Sequence, residues 1–436
     1  MPEPGSSGLR LAFYGDDFTG SVDVLLQLTR AGWRSRLFLG LPDPDELAAA
    51  AAEVDAVGIA GIARSLPTDR IDAEVRPALT ALAELVPPIV QYKACSTADS
   101  SPTVGSLGRV IEIAREVFGQ RSVPVLFAQP DFGRYTAFGH HFAAEGGTVY
   151  RLDRQPTMSN HPVTPMRESE LARHLALQTD LPIGSLHHLD YVNAEALAAL
   201  LAERTDAAVV LDALHDEHVA LVGAAVAAGA SANRPRFAIG SGGLSKGLGR
   251  ALGRTGDGGG DSIRPLNPTG PVLAVSGSRS PQTSRQIEDA SRNGWSSLPL
   301  PLDVPDPVGA VRDRVLAELG AGRSVVVATG DSEASAEGDE LVAILAAHLA
   351  ALIEAALRAD ATSRVIVCGG DTSSRVVRLL GADSLTIAAN PMGNVVVCAL
   401  ASTESWLDGT EILLKGGQVG PVDLFEQIRL LGSDGP

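Results

Sequence analysis

Val272-Leu273-Ala274-Val275-Ser276-Gly277-Ser278-Arg279-Ser280 is an apolar run that stops at small polar residues and gives way to a helical pattern over residues 283–293. Ile239-Gly240-Ser241-Gly242-Gly243 and Gly369-Gly370-Asp371-Thr372-Ser373-Ser374 follow the same plan. Each reads as a strand, a tight turn and a helix start. Glycine lets a backbone come close to a ligand, and the free N–H groups of a first helical turn attract anions. One such turn is common in any α/β protein. Three in one half of a chain imply a phosphate-handling surface at the carboxyl ends of parallel strands.

The turns match neither of the familiar nucleotide motifs. The spacing from Gly240 to Lys246 is wrong for a P-loop, and Ser245 stands where a dinucleotide fingerprint needs its third glycine. A fourth glycine-rich stretch, Lys415-Gly416-Gly417-Gln418-Val419-Gly420, carries one cation and reads equally well as a surface hairpin.

Working outward, apolar strands alternate with helical patterns along the whole chain. Strands are expected at 9–14, 35–39, 54–60, 89–93, 123–128, 207–211 and 236–239, then at 272–275, 325–328 and 365–368. Helices are expected at 19–31, 168–179, 283–293, 339–358 and 373–380. Apolar strands separated by helices predict largely parallel sheets covered on both faces. Residues 255–268, rich in Gly, Asp and Pro, read as a linker. The fold class is therefore α/β with two domains, 1–254 and 269–436, each a mostly parallel sheet flanked by helices, with an active-site cleft expected between them.

The 436 residues exceed one typical core, which agrees with two domains. A formal net charge of −17 argues against nucleic acid as a partner, because phosphate backbones need Lys and Arg. It does not argue against a small anionic substrate, since local cations set the field in a cleft. The three cysteines, Cys95, Cys368 and Cys398, form no CxxC pair, and no cage of metal ligands is legible. That pattern suits a reducing cytoplasm. No secretory signal is visible in residues 1–8, and the apolar run at 341–357, which contains His348 and Glu354, reads as a buried helix.

Asp16-Asp17-Phe18-Thr19-Gly20 follows the first strand and opens a helix. A helix cap needs one acid; two adjacent acids at a strand's carboxyl end also suit catalysis or hydroxyl binding, and both readings stand. Arg64 and Lys93, after the third strand and ending the fourth, are placed to bind a substrate carboxylate. Arg64 could equally make a surface ion pair. The cluster Ser96-Thr97-Ala98-Asp99-Ser100-Ser101 is denser than a cap requires and suits hydroxyl recognition. Cys95 reads as a small buried residue, not a nucleophile. His161, in His161-Pro162-Val163-Thr164-Pro165-Met166, sits in a loop stiffened by two prolines; a structural turn and a ligand contact are both open. His187 and His188 read as ordinary.

Taken in order, these motifs resemble the four-carbon acid sugar kinase family over nearly the whole chain. The resemblance is carried by Asp16 to Gly20, Lys93 to Ser101 running on to Gly105-Ser106-Leu107-Gly108, and His161 to Met166. Gly240-Ser241-Gly242-Gly243-Leu244, Ser276 to Ser280 with Thr283 and Gln286-Ile287, and Gly369 to Ser373 complete it. It implies ATP-dependent phosphorylation of a terminal hydroxyl on a small sugar acid or 3-oxo sugar acid, such as threonate, erythronate, a 3-oxotetronate or 3-oxo-isoapionate. It further implies a sugar-acid-binding first domain and a nucleotide-binding second domain. Asp16, Arg64, Lys93, Asp99, Ser100 and His161 would then face the substrate, with Asp17 as general base. Ser278, Ser280, Gly369, Gly370, Asp371, Thr372 and Gly417 would face ATP, with Mg²⁺ arriving on the nucleotide phosphates and no metal site in the protein itself. The oligomeric state stays open, a homodimer among the options.

Two positions depart from the family pattern. Ala98 stands where relatives carry Phe, and Asn390-Pro391-Met392-Gly393-Asn394 replaces a Pro-Gly-x-Pro turn. Two other functions fit a two-domain α/β chain. A nicotinamide-dependent dehydrogenase lacks its fingerprint here and would bind immobilised NAD. A non-catalytic sugar-acid sensor would be stabilised by ligand without turning over ATP.

Overall fold

The first half of the chain builds a sheet from strands that are apolar on both faces, as a sheet buried between two helical layers requires. The computed structural model describes residues 8–230, 235–253, 266–267, 270–329 and 338–432. The chain divides into two compact units, Met1–Ser262 and Ile263–Pro436. Apart from Leu266 and Asn267, the expected linker at 255–268 lies outside the described residues.

In the first unit the strands are β1 Leu11–Gly15, β2 Ser35–Phe38, β3 Ala56–Ala60, β4 Ile89–Lys93, β5 Val123–Leu126, β6 Arg134–Ala137, β7 His140–Glu145, β8 Thr148–Arg151, β9 Ile183–Leu186, β10 Ala208–Leu211 and β11 Arg236–Gly240. Eight of them pair in parallel in the order β2-β3-β1-β4-β11-β5-β10-β9. The register sets Gly15 opposite both Ala60 and Lys93, so β1, β3 and β4 end level with one another. From β1 the chain leaves towards β2, whereas from β3 it crosses to β4 on the other side. The ends of β1 and β4 therefore flank a point where the winding reverses, the place where open α/β sheets hold ligands.

Strands β6, β7 and β8 form a small antiparallel sheet that the sequence reading did not foresee. Its β6–β7 turn is fastened by the fully buried Asp212, which accepts from the backbone N–H groups of Phe138 (2.7 Å) and Gly139 (2.9 Å).

The second unit holds β12 Val272–Ser276, β13 Ser296–Pro299, β14 Val325–Ala328, β15 Arg364–Cys368, β16 Ser384–Met392, β17 Val395–Ala401 and β18 Glu411–Lys415. Their order is β13-β14-β12-β15-β18-β17-β16, parallel except that β17 runs against both β16 and β18. Ser276, Cys368 and Lys415 lie opposite one another in register, so β12, β15 and β18 also end together.

The helix Gly338–Arg358 contains a stretch, Glu340–Arg358, long and apolar enough to cross a membrane by composition. Leu345, Ala346, Leu349, Leu352, Ile353 and Ala356 form one buried stripe along it, while Glu354 and Arg358 pair at 2.7 Å on the exposed side. That is the pattern of a core-facing helix, as the sequence reading expected.

Candidate functional site

The first candidate site lies at the level ends of β1, β3 and β4. Asp17 caps the helix Phe18–Arg30 in extended backbone, its Oδ1 accepting from the Gly20 N–H at 2.8 Å. The same carboxylate receives a forked pair from Arg64, Nη1 to Oδ2 at 2.9 Å and Nη2 to Oδ1 at 2.8 Å. Arg64 Nη2 also donates to Asp16 Oδ1 at 2.6 Å. One guanidinium thus holds both acids of the Asp16-Asp17 pair. The cap and ion-pair readings of these residues are both realised, and at the same place.

Asp16 is 2% exposed. Burial raises its pKa above the ordinary carboxylate value; the Arg64 charge opposes that rise and the Asp17 charge adds to it. For Arg64, burial works against the charged form, but the two carboxylates outweigh it and hold the guanidinium firmly protonated.

Lys93 ends β4, is buried, and among the described residues makes a single side-chain hydrogen bond, to the Ala94 carbonyl at 3.1 Å. Gly20 sits where these groups converge. A Cβ there would lie 2.4 Å from Asp17 Oδ1, 2.9 Å from Lys93 Nζ and 3.5 Å from Arg64 Nη2. Only glycine leaves the space open.

Below this cluster the loop after β4 is pinned by His141, whose Nε2 donates to the Ser96 carbonyl at 2.8 Å while Nδ1 accepts from Thr136 Oγ1 at 2.9 Å. That pattern fixes the neutral tautomer, and burial pushes the ring's pKa down to about 4. The small antiparallel sheet therefore reaches the loop that follows Lys93.

The remaining sequence candidates in this unit are placed differently. Asp99 and His161 come together through Thr164, whose hydroxyl donates to Asp99 Oδ1 and lies 2.8 Å from His161 Nδ1. Among the described residues no hydrogen bond joins this pair to the Arg64 cluster. Ser100 is not brought to the open site. Its hydroxyl donates to the Ala98 carbonyl (2.9 Å) and lies 3.0 Å from both His174 Nε2 and Gln178 Nε2 in a buried network. Gln178 in turn accepts from the Leu107 N–H at 2.8 Å, at the start of the helix Leu107–Phe118. Cys95 is half-buried, its thiol 3.1 Å from Thr97 Oγ1. Ala98 is fully buried with φ of 51°, a left-handed conformation that costs an L-residue about 1 kcal/mol.

The second candidate site lies at the level ends of β12, β15 and β18. Ser280 caps the helix Pro281–Arg292 by accepting from Gln282 N–H at 3.2 Å. Ser278 Oγ accepts from Ser280 N–H (3.3 Å) and Thr283 Oγ1 (3.3 Å). Gly369, with φ of 119° that glycine alone adopts readily, turns the chain from β15 into the helix Gly370–Leu380. A Cβ on Gly369 would be 3.2 Å from Thr372 Oγ1 and 3.7 Å from the Ser278 nitrogen. One on Gly417 would be 2.7 Å from Ser280 Cβ and 2.9 Å from Ser278 Oγ. Ser278, Ser280, Gly369, Gly370, Thr372 and Gly417 are therefore gathered around two helix N-termini. The Asp371 side chain lies outside the described residues.

Lys415 and Thr283 stand in the sequence reading without a site role, and the structure places both here. Lys415, which reads there as part of a surface hairpin, ends β18 and is 1% exposed, donating to Thr283 Oγ1 at 3.0 Å. Thr283 Oγ1 also reaches the Gly417 carbonyl at 2.9 Å. The apolar run Ile412-Leu413-Leu414 just before Lys415 was the available signal that a core strand ends there. Asn390 closes the β16–β17 hairpin by donating to the Gly393 (3.0 Å) and Val395 (2.7 Å) carbonyls.

The arrangement is that of an α/β protein with acids and cations at one set of strand ends, and hydroxyls, glycines and helix N-termini at another. A family model described as a sugar-binding N-terminal domain matches residues 11–248, and one described as a nucleotide-binding C-terminal domain matches residues 273–425. The chain is 38% identical to a 3-oxo-isoapionate kinase of Paraburkholderia graminis, over 97% of this chain and 94% of that one. It is 32% identical to a 3-oxo-tetronate kinase of Methylobacterium radiotolerans, over 96% and 98%. The solved structure of Haemophilus influenzae protein HI1011 shares the fold, with a TM-score of 0.77 at 24% identity, covering 97% of this chain and all of that one. The chain belongs to the four-carbon acid sugar kinase family.

Proposed function

We propose that this ATP-dependent sugar acid kinase transfers the γ-phosphoryl group to a terminal hydroxyl of a 3-oxo sugar acid of the 3-oxo-isoapionate type. The observation supporting that substrate class is the 38% identity to the Paraburkholderia graminis kinase across nearly both full chains, against 32% for the 3-oxo-tetronate kinase. The cluster at the ends of β1, β3 and β4 has the chemistry such a substrate needs. Lys93, with two N–H donors unspent among the described residues, and Arg64 supply positive charge for the acid group. Asp17 has lone pairs left beyond its bonds to Arg64 and Gly20, and takes the proton of the attacking hydroxyl.

The Arg64 fork holds Asp17 in a fixed orientation, which suits phosphoryl transfer, where positioning and charge stabilisation dominate. Asp16 keeps the Arg64 fork in place. In the second unit, Ser278, Ser280, Gly369, Gly370, Asp371, Thr372 and Gly417 would meet the nucleotide. Backbone N–H groups, hydroxyls and one buried ammonium form a donor set that fits phosphate oxygens. Mg²⁺ would come bound to ATP, neutralising charge on the transferred group. The free cysteines Cys95, Cys368 and Cys398 support a cytoplasmic setting.

The test is ADP release with Mg-ATP across a panel of four- and five-carbon sugar acids and their 3-oxo derivatives. Release dependent on a branched 3-oxo acid, with a phosphorylated product by mass spectrometry, is expected. Turnover with threonate or erythronate alone would overturn the substrate assignment.

A further inference from the structure

The two ends of strands β15 and β18 treat a buried cation in opposite ways. Near the amino end Arg364, 3% exposed, is paired with the equally buried Glu411 at 2.6 Å. It also donates to the Ile428 and Leu431 carbonyls at 3.0 and 2.8 Å. At the carboxyl end Lys415, more deeply buried still, has no carboxylate partner among the described residues; its ammonium reaches only the Thr283 hydroxyl. Burial of a charge without a counter-ion costs several kcal/mol and ordinarily counts against a fold. Burial accordingly lowers the lysine's pKa, with only the Cys368 thiol across the strand pair opposing that shift. Two of the three ammonium donors have no acceptor among the described residues.

What surrounds Lys415 says which kind of anion it would pair with. Its single partner, Thr283 Oγ1, touches the Gly417 carbonyl and Ser278 Oγ, and Gly417 presses against Ser278 and Ser280. The lysine thus sits under the loops where two helix N-termini, those of Pro281–Arg292 and Gly370–Leu380, gather. We infer that Lys415 is the buried counter-charge for the polyphosphate of the nucleotide, a positioning residue that acts through Thr283 and through its field from beneath the phosphate loops. The inference rests on the nucleotide-binding reading of the second unit and adds a residue to it. Bound phosphates would supply the counter-charge that the described residues do not give Lys415.

A purely structural lysine and a counter-charge predict different things. Loss of a structural strut would weaken AMP, ADP and ATP alike. Loss of a counter-charge weakens them in proportion to phosphate charge, by about tenfold or more for a triphosphate at low effective dielectric. The experiment is calorimetric titration of the full chain and its Lys415→Met variant with AMP, ADP and a non-hydrolysable ATP analogue. Thermal melts of both free proteins accompany it.

Lys415→Met should bind AMP within about twofold of the wild type, and lose affinity progressively for ADP and the ATP analogue. Its unliganded melting temperature should rise, because an unpaired buried charge has gone. Lys415→Gln keeps a donor for Thr283 without the charge, and should show the same graded loss. An equal loss for all three nucleotides, or no loss, in either variant would overturn the inference while leaving nucleotide binding intact. Failure of the wild type to bind any of the three would instead overturn the nucleotide reading, and this inference with it.

Discussion

The carboxyl ends of the two parallel sheets are furnished in opposite ways. In the first unit the level ends of β1, β3 and β4 carry four ionisable side chains, and three of them are already satisfied by one another: Asp16 and Asp17 on Arg64, with Lys93 alongside. In the second unit the ends of β12, β15 and β18 carry serines, threonines and glycines, with a lysine that has no carboxylate partner among the described residues. The first arrangement suits a small hydroxy acid, because charges held in fixed forks can discriminate the orientation of a carboxylate and its neighbouring hydroxyls. The second suits a polyphosphate, whose oxygens are met by backbone N–H groups that need no particular side chain beyond small ones. The same strand-end geometry serves both because side-chain chemistry, not topology, sets the ligand.

The sharpest way to break this comparison is to remove the acid. Asp17→Asn should lower kcat by about a thousandfold, within the range general bases supply, while leaving ATP-analogue affinity within about twofold. Wild-type-like turnover in that variant would remove Asp17 from the mechanism. Next in size is the fork itself. Arg64→Met leaves the almost fully buried Asp16 without its ion partner and should cost about 3–5 kcal/mol of stability, read as a drop in the urea midpoint of the first unit.

Smaller, but specific to one unit, is the response to acid. His141 and His174 are buried in the first unit with pKa values pushed down to about 4 by burial. In the unfolded chain each takes up a proton near pH 6.5, whereas the folded rings stay neutral to about 4. Stability is therefore complete above pH 6.5 and is lost as pH falls from 6.5 towards 4. At pH 5.5 the pair should cost the first unit about 2–3 kcal/mol relative to neutral pH. Calorimetry as a function of pH should show that unit's transition moving down first. A pH-independent transition between 7 and 5 would contradict the buried-neutral assignment.

Much of this was readable in the chain. The parallel strands are continuous apolar runs, and ten of them could be placed within a few residues because burial on both faces leaves no room for polar alternation. The small sheet β6–β8 was not, since its short, half-exposed strands alternate weakly and its order depends on Asp212, more than sixty residues downstream. The candidate residues at strand ends were legible as types. Their partners were not: that Arg64 holds both acids, that Ser100 is consumed by His174 and Gln178, and that Lys415 is buried are all long-range outcomes. Lysine followed by two glycines looks like a solvated turn, and only the strand before it betrays otherwise.

The measurement that tests the division of labour most directly is a pair of Michaelis constants in two alanine variants. Gly20→Ala drives a methyl onto Asp17 and Lys93, and Gly417→Ala drives one onto Ser278 and Ser280. Gly20→Ala should raise KM for the sugar acid by about tenfold with KM for ATP unchanged, and Gly417→Ala should do the reverse. If each variant raised both constants equally, or the two effects were exchanged, the assignment of sugar acid to the first unit and nucleotide to the second would be contradicted.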